Sequence, residues 1–267
     1  MEKPLLYIKS SVLAQTTADY VLDKNLKMLQ KTADCAVLDI GCGPGNITHD
    51  KILPLLPKSM KKLVGVDISG DSIEYARKHY QSDSRISFAK MDILIDEIPN
   101  EYVGAFDLVT SLFCFHYVSD HRKALTNIYK MLKPGSNVII SFMGKVLANI
   151  LQYVHDNPKW TKYISNYKET VFIPQSEQYS KELFEELGFQ QVQCDEYEQS
   201  FLHSEDELLG VVKSLNFFKV PEHLEKEFLQ THVDYLKSIS REIVDKEGIK
   251  KYNMPYTLIV ITACKSL

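Results

Sequence analysis

The stretch Val37-Leu38-Asp39-Ile40-Gly41-Cys42-Gly43-Pro44-Gly45-Asn46 decides the fold. An apolar run with β-branched residues passes into a glycine-rich turn, and the chain then opens a helix, as in a βα unit. Glycines at 41, 43 and 45 let the backbone approach a ligand closely and reach dihedrals barred to other residues. Asp39, just ahead of the turn, is placed to take a cationic or hydroxyl-bearing group. The spacing is D-x-G-x-G-x-G. A dinucleotide fold would show G-x-G-x-x-G, with a helix N-terminus free to hold a pyrophosphate.

Outward from this turn the first half of the chain alternates short β-branched runs with amphipathic stretches, which predicts a parallel sheet. The expected strands are 35–40, 62–67, 86–91, 106–112 and 136–143. Expected helices cover 69–80, with Ile73, Ala76 and Tyr80 at helical spacing, and 120–132, with Leu125, Ile128 and Leu132. Lys133-Pro134-Gly135 supplies the break between helix and strand. A helix over 179–187 should end at Gly188 and feed a strand at about 189–198, and a last strand is expected at 256–264. Residues 145–175 and 204–250 read as mostly helical cover. No linker isolates that cover and the chain returns to the sheet, so 1–267 is expected to be a single domain around a 35–143 core.

The chain has 267 residues, 45% of them hydrophobic, enough for one large core. A formal net charge of -4 offers no basic field for the phosphates of a nucleic acid. No stretch is long and apolar enough to span a membrane, and no signal-like segment opens the chain, so a cytoplasmic protein is expected. Five scattered cysteines, none in a CxxC pair, read as free thiols in a reducing compartment. Cys42 in the glycine loop and Cys114 after the fourth strand have no activating base pattern around them. No His, Cys, Asp or Glu cluster has metal-ligand spacing, so no metal is expected.

Two further acids follow the glycine turn. Asp67 ends the strand VGVD, about 20 residues on, where a carboxylate can take both hydroxyls of a ribose. Asp92 follows the third strand, where it can accept from an adenine amino group while Ile93 stacks on the ring; a helix N-cap is the plainer reading of Asp92. Three successive strands thus end in an acid facing one crevice. S-adenosyl-L-methionine fits that pattern, because it carries no phosphate and its amino-acid end needs an acid and a tight turn. Asp39, Gly41, Cys42, Gly43, Gly45, Asp67, Ile68, Asp92 and Ile93 are the expected cofactor residues.

Together with Leu132-Lys133-Pro134-Gly135, these residues resemble the class I S-adenosylmethionine-dependent methyltransferases over 35 to about 143. The resemblance implies an α/β, Rossmann-like seven-stranded mostly parallel sheet, its last strand antiparallel, with an inserted helical lid. Leu6-Tyr7-Ile8-Lys9-Ser10-Ser11, Leu63 to Ser69, Lys123 to Tyr129 and Pro221-Glu222 resemble the arthropod juvenile hormone acid O-methyltransferases. That likeness implies a slot for a sesquiterpenoid or fatty carboxylic acid, faced by a glutamine on the first helices and a His-Trp pair after the fourth strand. Gln15 and His116 take those positions here, with Tyr117 in place of the tryptophan.

A carboxylate acceptor is already ionised near neutral pH and needs no base, so Gln15, His116 and Tyr117 would orient it. A phenol or amine acceptor would need His116 as a base. The residues alone leave three readings: an ester-forming methyltransferase, a methyltransferase for another acceptor, and a cofactor-binding protein without catalysis. The apolar block from Leu208 to Leu236 is mostly core, and Phe217 to Pro221 is its expected pocket-lining part. Trp160 is expected in the pocket wall or in packing, and Tyr197 and Tyr235 in packing. Oligomeric state leaves no mark in the sequence.

Overall fold

The computed structural model describes residues 2–30, 34–80, 83–170 and 177–267. Three helices lead: α1 (Glu2–Ser10), α2 (Val12–Lys24) and α3 (Leu26–Gln30). The alternating part follows as β1 (Ala36–Ile40), β2 (Lys62–Asp67), α4 (Gly70–Tyr80), β3 (Ile86–Lys90), β4 (Phe106–Leu112), α5 (His121–Met131) and β5 (Leu132–Met143). The rest is α6 (Val146–Asp156), α7 (Tyr167–Thr170), α8 (Glu177–Glu186), β6 (Phe189–His203), α9 (Glu205–Leu215), α10 (Glu222–Ile239), β7 (Arg241–Val244) and β8 (Lys250–Lys265).

Seven strands run in the order β3-β2-β1-β4-β5-β8-β6, and short β7 pairs with β8 beside that path. The first five are mutually parallel, and β8 is antiparallel to β5 and to β6. The strand order reverses between β1 and β4, and in an open α/β sheet a ligand crevice forms at the carboxyl ends beside such a point.

Both faces of the sheet are buried, so the central strands are continuously apolar. Val37, Leu63, Leu108 and Ile139 face one core with Ala18 and Val21 of α2 and Phe228 of α10. Their neighbours Leu38, Val64, Val109 and Ile140 face the other with Ala124, Leu125 and Ile128 of α5 and Phe184 of α8. That alternation is the two-residue period of a strand.

Three local expectations change. The helix after the glycine turn is wound as a π turn, Thr48–Ile52, and then a 3-10 turn, Leu53–Leu55. Pro54 lacks the amide that a continued α-helix would need. The break at Lys133-Pro134-Gly135 lies inside β5 as a shift of register against β4, with Gly135 at φ 74°. The cover block 204–250 is not helical throughout: β7 and the start of β8 form a hairpin. Its turn is built by Asp245, whose Oδ1 accepts from the amides of Glu247 and Ile249, and by Gly248 at φ 78°. Tyr252, Met254 and Tyr256 alternate buried with the more exposed residues between them, a pattern that carries β8 well before 256. Residues 171–175 of the expected cover lie outside the described residues.

α9 and α10 enter between β6 and β8 as the inserted lid. Ser204 caps α9, accepting from the Glu207 amide while the Glu207 carboxylate takes the Ser204 amide. α9 packs closely on α1: a Cβ at Gly210 would lie 3.7 Å from Cβ of Ser10. Among the described residues no helix is long and apolar enough to cross a membrane.

Candidate active site

A cavity of about 570 Å³ opens at the carboxyl ends of β1, β2 and β4 and continues under the lid. α1 and α2 form one wall, α6 another, and α9 and α10 the roof.

The three glycines divide their work. A Cβ at Gly41 would lie 2.2 Å from Sγ of Cys114, and one at Gly45 2.9 Å from both Ala76 and Phe88. The Cα faces of those two glycines are taken up by packing, although Gly41 also borders the cavity. Gly43 alone faces open space, where a Cβ would meet only the Tyr7 ring at 3.8 Å, and it lines the cavity. All three have positive φ: 73°, 54° and 87°.

Asp39 is 2% exposed and does not line the cavity. Thr48 Oγ1 donates to its Oδ2 at 2.6 Å and Thr110 Oγ1 to its Oδ1 at 2.8 Å. Burial lifts its carboxyl to about 6 against those hydroxyls. It ties the glycine loop's strand to β4 and to the turn after the loop. Cys42 is buried against Gly65, and desolvation pushes its thiol well above the usual range.

Asp67 does line the cavity. The amide of Gly43 donates to its Oδ2 at 2.9 Å and the amide of Ser69 to its Oδ1 at 2.8 Å. Burial raises its pKa while these two amides oppose the rise. The carboxylate is therefore fixed in direction with oxygen lone pairs left over. Ile68 beside it also lines the cavity and is 64% exposed, a large apolar side chain left at the mouth. Asp92 and Ile93 are not brought into the cavity: Asp92 is exposed and takes the Leu94 amide in a turn, and Ile93 is core. No helix follows Asp92, so it is not an N-cap.

At the end of β4, Phe113 has φ 60°, the left-handed region that a bulky side chain avoids. This bend turns the chain so that Cys114, His116 and Tyr117 all border the cavity. Burial, with Asp67 nearby, pushes the Cys114 thiol up to about 12, so it stays protonated and is no nucleophile at neutral pH. His116 is 3% exposed, and burial with a smaller effect of His121 lowers its pKa to about 3. The Met143 amide donates to its Nδ1 at 3.3 Å. A neutral imidazole that accepts at Nδ1 carries its proton on Nε2, so His116 offers a donor.

Tyr117 packs beside His116 with ring centroids 4.4 Å apart and meets Phe217 of the lid edge on at 6.2 Å. Burial, then Tyr7 and Cys114, raise its hydroxyl pKa, which leaves it a proton donor. Tyr7 was not singled out by sequence, yet it lies over the glycine loop with its pKa raised by burial, Cys114 and Asp67. Nothing along α1 itself signals this half-buried residue. Gln15 does not line the cavity; its Nε2 donates to the Ile8 carbonyl and to Ser11 Oγ, and Ser11 is the lining residue.

The lid half is apolar, with Leu208, Leu215, Phe217 and Phe218 among its lining residues. Asn216 fixes that loop by accepting from the Phe218 amide and donating to its carbonyl. Trp160 is packing: it is fully buried, meets Phe228 edge on and donates to Thr231 Oγ1. Tyr197 and Tyr235 also pack, on Tyr20 and Tyr153. Among the described residues no group of three His, Cys, Asp or Glu comes together as metal ligands would.

Residues 31–192 match the family model of a methyltransferase domain. The chain is 29% identical to juvenile hormone acid O-methyltransferase of Drosophila melanogaster, across 100% of this chain and 93% of that protein. It is 26% identical to the protein of the same name from Bombyx mori, across 88% and 86%. The crystal structure of the YcgJ protein of Bacillus subtilis superposes with a TM-score of 0.62 at 18% identity, covering 93% of this chain and 99% of that one, a likeness of fold.

Proposed function

The chain belongs to the methyltransferase domain family, and from that premise we propose that it is an S-adenosylmethionine-dependent O-methyltransferase forming the methyl ester of an apolar carboxylic acid. The fold supports the cofactor reading, and one local test favours it: the Gly43 side of the loop is open where a Cβ would intrude, with the Asp67 carboxylate held beside it. Asp67 would take the ribose hydroxyls and Ile68 would cover the base. Gly41 and Gly43 would border the amino-acid end. Asp39, Cys42 and Gly45 would hold the loop's shape. When bound, S-adenosylmethionine supplies a methyl group on a positively charged sulfur, open to in-line displacement.

The observation that carries the acceptor reading is His116. Its Nδ1 is occupied by the Met143 amide, and burial keeps the ring neutral, so Nε2–H can hold a carboxylate oxygen and the ring is a poor base. Tyr117 donates a second hydrogen bond. Gln15 supports the site from behind by fixing Ser11. The apolar lid excludes water and receives the acid's hydrocarbon tail. The named relatives from Drosophila melanogaster and Bombyx mori, matched over most of their length, agree with an acid acceptor. The whole chain acts as one unit in this reading, with the lid as substrate cover.

Turnover of labelled S-adenosylmethionine against fatty, terpenoid, catechol and amine acceptors tests the proposal. Methyl esters of long unsaturated acids, with short polar acids left unreacted, are expected. A preference for catechols or amines overturns it.

A further inference from the structure

Two histidines interrupt the apolar half of the cavity. His203, at the end of β6, is 3% exposed, and His232, in the middle of α10, is 6% exposed; both line the cavity with Leu208, Leu236 and Met254. Neither belongs to the cofactor crevice or to the His116 group.

Their hydrogen bonding is incomplete. Nδ1 of His232 lies 2.8 Å from the Phe228 carbonyl, which can only accept, so Nδ1 carries the proton. In the neutral ring Nε2 is then a lone-pair acceptor. Among the described residues nothing donates to it, and neither ring nitrogen of His203 has a hydrogen-bond partner. Glu207, the nearest acid in electrostatic terms, is already engaged by the Ser204 amide. Burial lowers the pKa of both rings and holds them neutral. A neutral His203 still carries one N–H. His203 thus presents one N–H and one lone pair and His232 a second lone pair, so a hydroxyl, donor and acceptor at once, can engage both rings. A carboxylate would want two donors, and an ether or epoxide leaves the His232 lone pair unmet. A polar group buried without a partner is costly, so an ordinary apolar tail would leave these ring nitrogens uncompensated at this end.

The strand register sets the two poles apart. Met143, whose amide holds His116, pairs with Leu258 of β8, and His203 pairs with Tyr252 of the same strand. The stretch from 258 to 252 is roughly 20 Å of strand. We propose that His203 and His232 form a distal subsite for a hydroxyl at the far end of a long apolar acceptor. The proposal rests on the acid-methylation reading for its choice of acceptor, but the subsite itself stands on the lid residues.

The test compares kcat/KM for dodecanoic and hexadecanoic acids, each beside its ω-hydroxy counterpart. The wild type is expected to favour the ω-hydroxy form of at least one length. His232→Leu should lower that ratio by about tenfold, the worth of one ordinary hydrogen bond. His232→Gln, which can present a carbonyl oxygen, should restore it in part. A wild type that prefers both plain acids, or a ratio untouched by His232→Leu, overturns the proposal. If no acid is methylated at all, the acceptor reading fails on its own, and the subsite is read by binding. Displacement of a fluorescent apolar probe by dodecanol is then compared with displacement by dodecyl methyl ether. The alcohol should bind the wild type about tenfold tighter, and equal affinities overturn the subsite even where the variants do not fold.

Discussion

Replacing His116 tests the chemistry most directly. In the proposed role its Nε2–H donates to an ionised carboxylate, a hydrogen bond worth about 1.5–3 kcal/mol. At about 1.36 kcal/mol per tenfold, His116→Ala should cost roughly 10- to 150-fold in kcat/KM. His116→Gln, which keeps an N–H donor, should retain much more. The pH profile separates the roles. Burial holds the ring's pKa near 3 and the Met143 amide occupies Nδ1, so His116 does not titrate in the working range. An acid acceptor is ionised once the pH is well above about 4.3. The single-turnover rate should therefore be flat from about pH 6 upward. Binding of S-adenosylhomocysteine, measured by calorimetry, should be the same in both variants, because its proposed contacts lie at Asp67 and the glycine loop. A rate rising tenfold per pH unit up to about 6.5, with equal loss in the Ala and Gln variants, would make His116 a base. The acceptor would then be a hydroxyl or an amine, and the ester reading would fall.

Asp67→Ala should weaken S-adenosylhomocysteine binding by about 1.5–3 kcal/mol in calorimetry; unchanged affinity would remove Asp67 from the site. Gly45→Ala places a Cβ 2.9 Å from Ala76 and Phe88 at φ 87°, so urea unfolding should show a loss of about 1–3 kcal/mol. Gly104→Ala, at φ 57° with nothing within 4 Å, should lose less, and the reverse order would refute the packing role given to Gly45. Acid should destabilise the fold through its buried histidines. Burial depresses His116 to about 3 and His121 to about 4, so below pH 6.5 the unfolded chain binds protons that the folded chain refuses. This stability is complete above the unfolded value and falls as pH drops, by about 1.4 kcal/mol per histidine per unit. Asp39, raised to about 6, works the other way over the same span, so between pH 7.5 and 5.5 a His116→Gln, His121→Gln double variant should lose less of its urea midpoint than the wild type. An equal pH response in that variant would place the loss elsewhere.

Local spacing carries what can be read along one segment. The Gly41-Gly43-Gly45 turn and the step to Asp67 are rules about neighbours in sequence, and both meet in one hydrogen bond from the Gly43 amide to Asp67. Residues whose role depends on distant partners read less well. Asp39 looked ready for a ligand, but Thr48 and Thr110 take both of its oxygens, and Thr110 is on another strand. Gln15 lies on the expected helix with its side chain turned to Ser11. Nothing within α1 shows that the Tyr7 face covers the glycine loop.

The sequence by itself determined the alternating architecture, the glycine loop and the family, because β-branched runs, helical spacing and glycine dihedrals are properties of short stretches. Only the tertiary structure decided which glycine has open space beside it, which nitrogen of His116 holds its proton, and that His203 and His232 share one cavity. Those facts depend on contacts between β4 and β5, between α10 and β8, and between the loop and α4. Their partners lie far apart along the chain, and packing alone brings them together.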